Sequence, residues 1–473
     1  MRHLEGSEHA KRATRYKMLE WGVFLAVCLV IVFVLFKRKD HGVFQKMYFD
    51  NNGTTEPRVE VLDAMREAAY MGNPSSDYSD VAANKISELK AEVHKWTDTI
   101  PETHEIIINS GASEGNNFII RSVVDKHRNQ EWRPHIIISA TEHKTSIGCV
   151  DQLVKQGRCT ATYIAPNISG QISAEDVSRA ITPETVLITV MHANNEIGNK
   201  NDLYLIGMEA ANRGITFHSD VVQTFGKYVI PMTSYNLSAI TMSFHKMYGP
   251  NGIGVVVLQK RLADELEAQI SGSQNMGLRG GTENMQAVSG ALVAMQLTLL
   301  DRPQKNEKLR AMKRSIVNCL QSHFNIDKFA DYYNLDDNTI PNIVGNKPFS
   351  VVFLGPVTGS GLPIEIEPGT DSRAGSLPNT LLISFMKQPQ PEKKYDNFCN
   401  LKLKKELKNH GVIVSIGSAC NTKETGPSHV LRAIRAPYII RCGVIRITLG
   451  DNNTLSQTYS LCRILTDCVH KQL

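Results

Sequence analysis

From residue 47 onward, short apolar runs alternate with longer stretches in which apolar positions recur every three or four residues. The short runs predict strands over 105–109, 135–139, 160–165, 186–190, 215–218 and 237–242. The longer stretches predict helices over 57–70, 79–96, 145–156, 174–181, 203–213 and 454–470, with another opening near residue 112 and running through 124. Strands alternating with helices predict an α/β fold with a mostly parallel sheet.

The first 46 residues follow a different pattern. Residues 21–36 form an unbroken apolar run with basic residues on both sides, somewhat shorter than the roughly 20 residues that cross a bilayer comfortably. Lysine and arginine side chains at its ends can snorkel and extend its reach. This predicts a single-pass membrane anchor over about 19–36. No small-residue cleavage site follows the run, which argues against a removed signal peptide, and Glu5, Glu8 and Glu20 break the acid-poor pattern of an organellar presequence.

At 473 residues, 42% hydrophobic and 21% charged, the chain is large enough for one big core or two unequal domains. A net charge of +5 with no basic stripe predicts no nucleic-acid partner. Nine scattered cysteines, none in a C-x-x-C pair, argue against a disulfide framework or a zinc site, and for a reducing compartment. No metal ligand set is therefore expected.

Polar residues of unusual chemistry sit where the predicted strands end. Ser110-Gly111-Ala112-Ser113 opens a helix after a strand, so backbone N–H groups and the positive end of a helix dipole make an anion site. A capped helix start is the plain alternative for this segment alone. It is not a P-loop, and no G-x-G-x-x-G fingerprint follows a strand. His143 and Asn195 follow strand ends, where open α/β sheets place ligands. Asp220 ends another apolar run, with Gln223 just beyond, and a buried carboxylate there needs a partner such as a protonated ring nitrogen. Lys246 closes Ser243-Phe244-His245-Lys246, ahead of a glycine-rich loop. An amine held in an apolar pocket keeps more of its nucleophilic free form, so it suits Schiff-base chemistry, whereas an ordinary lysine would snorkel out. Anion cradle, histidine, carboxylate and lysine together imply pyridoxal 5'-phosphate.

The chain then resembles the cysteine desulfurases among class V, fold-type I pyridoxal-phosphate enzymes, over roughly 47–473. The resemblance rests on Asp50-Asn51-Asn52-Gly53-Thr54-Thr55, Gly72-Asn73-Pro74-Ser75-Ser76, Ser110-Gly111-Ala112-Ser113-Glu114 and Thr141-Glu142-His143-Lys144. Further matches are His192-Ala193-Asn194-Asn195-Glu196, Ser219-Asp220-Val221-Val222-Gln223, Ser243-Phe244-His245-Lys246, Arg279-Gly280-Gly281-Thr282 and Gly417-Ser418-Ala419-Cys420.

It implies a seven-stranded large domain at 47–301 and a smaller C-terminal α/β domain at 302–473 that carries the catalytic cysteine loop. Lys246 would bind the cofactor aldehyde and move the proton, with His143 stacked on the ring. Asp220 and Gln223 would hold the ring nitrogen and phenolate oxygen. Ala112, Ser113, Ser243 and His245 would bind phosphate, with Thr282 supplied by the second subunit of a homodimer. Asn195 and Arg446 would hold the carboxylate of L-cysteine. Cys420, in a predicted polar loop, would take the sulfur as a persulfide, leaving L-alanine, and pass it to a protein acceptor in iron–sulfur cluster assembly or thiolation. A free catalytic thiol implies a cytosolic face for this domain.

Ser113 stands where the family usually has threonine, Tyr78 where a histidine is common, and Ile416 where a serine is common. Residues 343–375, rich in glycine and proline, read as an insertion forming a surface loop or docking element. Against the resemblance, the tail that bacterial relatives use to contact an iron–sulfur scaffold is not expected after the last predicted helix. Rival readings are a selenocysteine lyase, another class V aminotransferase-like enzyme, and a non-catalytic membrane-bound scaffold.

Overall fold

The polypeptide first commits to the C-terminal part of the molecule. Met47 and Tyr48 pair in parallel with Val412 and Ile413, Phe49 is fully buried, and Asp50 bridges to Thr448. The computed structural model describes residues 47–76, 80–300, 302–333, 335–336, 347–364, 374–388, 396–416 and 428–472. The apolar run at 21–36, Tyr78 and Cys420 lie outside these residues. Among the described residues no helix is long and apolar enough to cross a membrane.

The large sheet has seven strands: β1 (His104–Asn109), β2 (His135–Ser139), β3 (Thr160–Ile164), β4 (Thr185–Thr189), β5 (Thr216–Asp220), β6 (Ala239–Ser243) and β7 (Gly254–Gln259). Their order is β1-β7-β6-β5-β4-β2-β3. Only β7 runs antiparallel, against both β1 and β6, so the sheet is mostly parallel. Helices α1 (Val59–Glu67), α2 (Asp80–Thr97), α3 (Ala112–Lys126), α4 (Lys144–Lys155), α5 (Ala174–Ala180), α6 (Leu203–Ala211) and α7 (Met285–Leu300) accompany it. Two apolar cores follow, one around Trp96, Phe217, Phe225 and Phe244, the other around Phe118, Ile120, Ile136 and Val256. Strands covered on both faces read as continuous β-branched runs, which is why β2 (HIIIS) is legible from sequence, whereas β7 (GVVVLQ), just past the glycine-rich loop, is a strand the sequence reading did not name.

After α8 (Arg302–His323) comes a four-stranded sheet: β8 (Asn325–Asp327), β9 (Phe349–Leu354), β10 (Thr380–Lys387) and β11 (Val444–Thr448), in that spatial order. Here the reading of 343–375 as a surface insertion is corrected. Its residues Phe349 to Leu354 are a buried strand inside the sheet, hydrogen-bonded on both sides. Flanking glycines and prolines obscured a six-residue run, apolar but for Ser350, that obeys the ordinary rule for a covered strand. Helices α9 (Asn400–Asn409), α10 (His429–Ala433), α11 (Tyr438–Gly443) and α12 (Leu455–His470) complete this part. Its core gathers Phe49, Phe349, Phe353, Phe385, Phe398 and Leu465. α12 opens with a reciprocal capping box, Thr454 and Gln457 satisfying each other's backbone N–H groups.

The cysteines also depart from expectation. Cys319 on α8 and Cys462 on α12 form a disulfide, with Cα atoms 6.3 Å apart. They are 143 positions apart in sequence, so helix packing and not cysteine spacing brings them together.

Candidate functional site

Ala112, Ser113, His143, Asn195, Asp220, Gln223, Ser243, His245 and Lys246 all line one cavity of about 270 Å³. The parallel topology explains the convergence, because loops leaving the carboxyl ends of neighbouring strands open on the same edge.

The anion end forms where β1 turns into α3. Gly111, at φ 138, precedes the helix, and no side chain caps it. Its first N–H groups are thus left for a ligand. Ser243 lies opposite, its Oγ 3.7 Å from the place a Cβ on Gly111 would occupy. His245 completes this side, its Nδ1 3.1 Å from Thr54 Oγ1. Burial and the neighbouring Lys246 and His143 push His245 down to about 4, so it is neutral near pH 7.

Asp220 ends β5 and is buried. Its Oδ2 accepts from Asn116 Nδ2 at 2.8 Å and its Oδ1 from the Val222 N–H at 3.0 Å. Asn116 Oδ1, buried beside it, has no partner among the described residues. Gln223 donates to the Asn52 carbonyl at 3.3 Å, and its Oε1 is likewise buried without a partner.

His143 caps the amino end of α4. The Thr145 N–H donates to its Nδ1 at 3.3 Å and Thr145 Oγ1 lies 2.9 Å away. The neutral ring therefore carries its proton on Nε2. Its proton affinity is lowered mainly by burial, then by the charges of Lys246, His429 and Lys144, against the opposing pull of Asp220. Next to it, Glu142 is fully buried and pushed well above the carboxylate range by burial and the charge of Asp220; its Oε1 accepts the Met191 N–H.

Lys246 ends the helical turn after β6 and also lines a second, smaller cavity of about 30 Å³ with Lys227, Tyr248 and Asp451. Lys227, which donates to the Gln223 carbonyl at 2.9 Å, is pushed down to about 8, first by burial and then by repulsion from Lys246.

Arg446 on β11 is 1% exposed. Its Nη1 donates to the Asn195 carbonyl at 3.0 Å and its Nη2 meets Asp50 Oδ1 at 2.5 Å. Arg446 thus stands beside the cavity without being part of its lining. Thr282 is exposed and does not line the cavity in this single chain. Cys420 cannot be located among the described residues.

Sequence reasoning missed four supporting residues. Asn116 lies about one helical turn after Ser113, so the anion-site helix itself offered the signal. Asp50 stood in a stretch already singled out. Thr145 follows His143 by two positions. His429, whose Nε2 lies 2.9 Å from the Glu142 carbonyl and whose Nδ1 is buried without a partner, carried no local signal.

These features define an α/β enzyme site that presents an anion cradle, a carboxylate and an amine at one sheet edge. The comparisons with known proteins agree. The aminotransferase class-V family model matches residues 47–329, and the chain belongs to that family. It is 30% identical over 412 residues to the cysteine desulfurase IscS of Dictyoglomus turgidum, covering 86% of this chain and 90% of the relative. Against the cysteine desulfurase IscS of Clostridium botulinum it is 29% identical over 415 residues, covering 87% and 91%. Among solved structures, a NifS-like protein superposes with a TM-score of 0.72 at 23% identity, covering 91% of this chain and all of the other, which speaks to fold. SspA in complex with cysteine gives 0.63 at 27% identity over 86% of this chain and all of the other.

Proposed function

We propose that this chain is a pyridoxal-phosphate-dependent cysteine desulfurase that moves the sulfur of L-cysteine onto Cys420 and releases L-alanine. The observation that carries the reading is the convergence of Lys246, Asp220 and the uncapped start of α3 on one cavity. The donor set fits the cofactor. An anion has the N–H groups at the start of α3 to meet, a cationic ring nitrogen has Asp220, and Gln223 Oε1, unpartnered among the described residues, marks a polar position open to a ligand.

When bound, pyridoxal phosphate supplies an electron sink for the substrate's α-carbon. Lys246 would hold it covalently and carry the proton between substrate carbons. Asp220, kept in place by Asn116 and the Val222 N–H, would balance the positive charge of the ring nitrogen. Ser113, Ser243 and His245, with the N–H groups of α3, would bind its phosphate, joined by Thr282 of a second copy in a homodimer. His143 would lie against the ring and pass a proton through Nε2. Arg446 and Asn195 would hold the substrate carboxylate, the guanidinium fork matching its shape.

The net step balances. The Cys420 thiol and L-cysteine become a Cys420 persulfide and L-alanine; one C–S bond breaks, one S–S bond forms, and the displaced proton ends on the alanine methyl group. A protein acceptor then takes the sulfur. The reading includes the domain division at 301/302, the anchor at 19–36 and a cytosolic catalytic part.

The test is sulfide and alanine release from L-cysteine by the full chain with cofactor and a thiol reductant, beside Lys246→Ala and Cys420→Ala. Equal yields from the parent and loss of sulfide in both variants are expected. Undiminished sulfide release by Cys420→Ala would remove the persulfide step, and consumption of L-cysteine with neither alanine nor sulfide formed would favour an aminotransferase-like reaction.

A further inference from the structure

Far from the cavity residues in sequence, α8 and α12 pack against each other and bring three soft or borderline donors together. Cys319 and His323 lie four positions apart on α8, so they share one face of the helix. Cys462 comes from α12. One donor atom from each of the three falls within 4.8 Å of the others, and His323 Nδ1 lies 3.8 Å from Cys319 Sγ. None of the three is needed by the chemistry proposed above.

We propose that Cys319, His323 and Cys462 form a binding site for a soft, thiolate-preferring cation of the zinc class, in competition with the disulfide between the two cysteines. Two thiolates and one imidazole, with a position left open, are a ligand set that suits zinc, and hard cations such as magnesium or calcium would not choose it. The Cα separation of 6.3 Å lies within the range of a disulfide, about 4.4–6.8 Å. Held thiols at that separation can also converge on one metal with only side-chain rotation. Both cysteines are partly exposed and His323 is exposed, so ion and reductant can reach them without opening the core. His323 Nδ1 now rests 3.0 Å from the Cys319 carbonyl and 2.9 Å from Ser322 Oγ. These are surface contacts that a turn of the ring exchanges for a metal bond.

The balance of the switch is explicit. A dithiol reductant gives two electrons and two protons to the disulfide, becoming a disulfide itself and leaving two thiols. Binding of the cation then releases those two protons to solvent, so the site tightens as pH rises. The consequence is a clip between α8 and α12 made of a disulfide under oxidising conditions and of a metal under reducing ones. Either form ties together two helices that supply Leu309, Met312, Ile316, Leu461 and Leu465 to the same core.

The experiment measures zinc bound per chain by the full-length protein, with and without a phosphine reductant, against a chromophoric chelator. The same titration is run on a Cys319→Ser/Cys462→Ser double variant and on His323→Ala. The reduced parent should bind one zinc more than the double variant, and the oxidised parent should not. His323→Ala keeps both thiols and changes only an exposed side chain, so it tests the three-donor set without threatening the fold. It should weaken binding by more than the roughly 10–100-fold seen when merely a ligand's supporting residue is lost. Cobalt in place of zinc should give a thiolate charge-transfer band in the reduced parent alone. Equal zinc in the reduced parent and the double variant, or unchanged affinity in His323→Ala, overturns the proposal. None of these readouts involves the cofactor or cysteine turnover, so they stand apart from the desulfurase reading.

Discussion

Arg446 is held with almost no exposure and with two of its three nitrogens engaged, by Asp50 and the Asn195 carbonyl, while Nε is buried without a partner among the described residues. A guanidinium does not lose its proton in a protein, so the Asp50 carboxylate is what makes its burial tolerable. Removing one partner of a fully buried pair costs about 3–5 kcal/mol. Asp50 is partly exposed, its side chain 16% accessible, so Asp50→Asn should cost less, about 2 kcal/mol. In the proposed reaction the same guanidinium meets the substrate carboxylate. Asp50→Asn should therefore also raise KM for L-cysteine more than it lowers kcat, because the fork loses the neighbour that aims it. Urea unfolding and steady-state sulfide release check the two halves. An unchanged KM beside a clear loss of stability would confine Asp50 to a structural role.

At the scale of elements, the anion cradle depends on how closely β7 approaches β6 and the turn before α3. Gly254 opens β7, and a Cβ there would stand 2.6 Å from the Met242 carbonyl oxygen and 2.7 Å from the Gly111 Cα. Both are backbone atoms, so no side-chain rotation can relieve the contact. Gly254→Ala should push β7 away from Gly111, cost about 1–3 kcal/mol as overpacking, and lower cofactor occupancy more than it lowers stability. Absorbance of bound cofactor against a denaturation curve measures the difference; full occupancy would mean that the cradle does not need this close approach. The same scale explains what the sequence could disclose. β2, α3 and α4 were readable because covered strands and amphipathic helices carry their own periodicity, and Lys246, Asp220 and His143 were readable because each stands at or just past the end of such a strand. β9 was misread because its apolar run is flanked by punctuation residues. The role of His429 was not readable at all, and Asn116 was marked only by its place one turn into the anion-site helix. Both depend on contacts with distant residues, Asn116 with Asp220 across 104 positions and His429 with Glu142 across 287, and no local pattern encodes such meetings.

Across the whole molecule, the buried ionisable groups set an uneven dependence of stability on pH. His218 and His245 are each pushed down to about 4, His192 well below its usual value and His143 below it, in every case chiefly by burial. An unfolded chain protonates these rings near pH 6.5, whereas the folded chain resists. The unfolded state thus binds more protons as pH falls from about 6.5 toward about 4, and stability drops through that window. Glu142 acts in the opposite sense. Its folded carboxyl stays protonated above the unfolded value of 4.5, so its contribution is complete below 4.5 and lost as pH rises through its raised folded value. Glu142→Gln keeps an oxygen to accept the Met191 N–H and cannot ionise. The variant should match the parent in urea midpoint at pH 4 and below, where Glu142 is neutral in the folded chain and largely neutral in the unfolded one, and exceed it near pH 8. Each pH unit over which folded and unfolded chains differ by one proton is worth about 1.4 kcal/mol, so the gap should be measurable as a shifted midpoint. A gap of the same size at both pH values would mean that shape, and not the carboxyl proton, separates the two proteins. Since Glu142 precedes His143 in the chain and feels the charge of Asp220, a variant stabilised only at high pH would also identify it as a neutral acid that spares the site a second negative charge near Asp220.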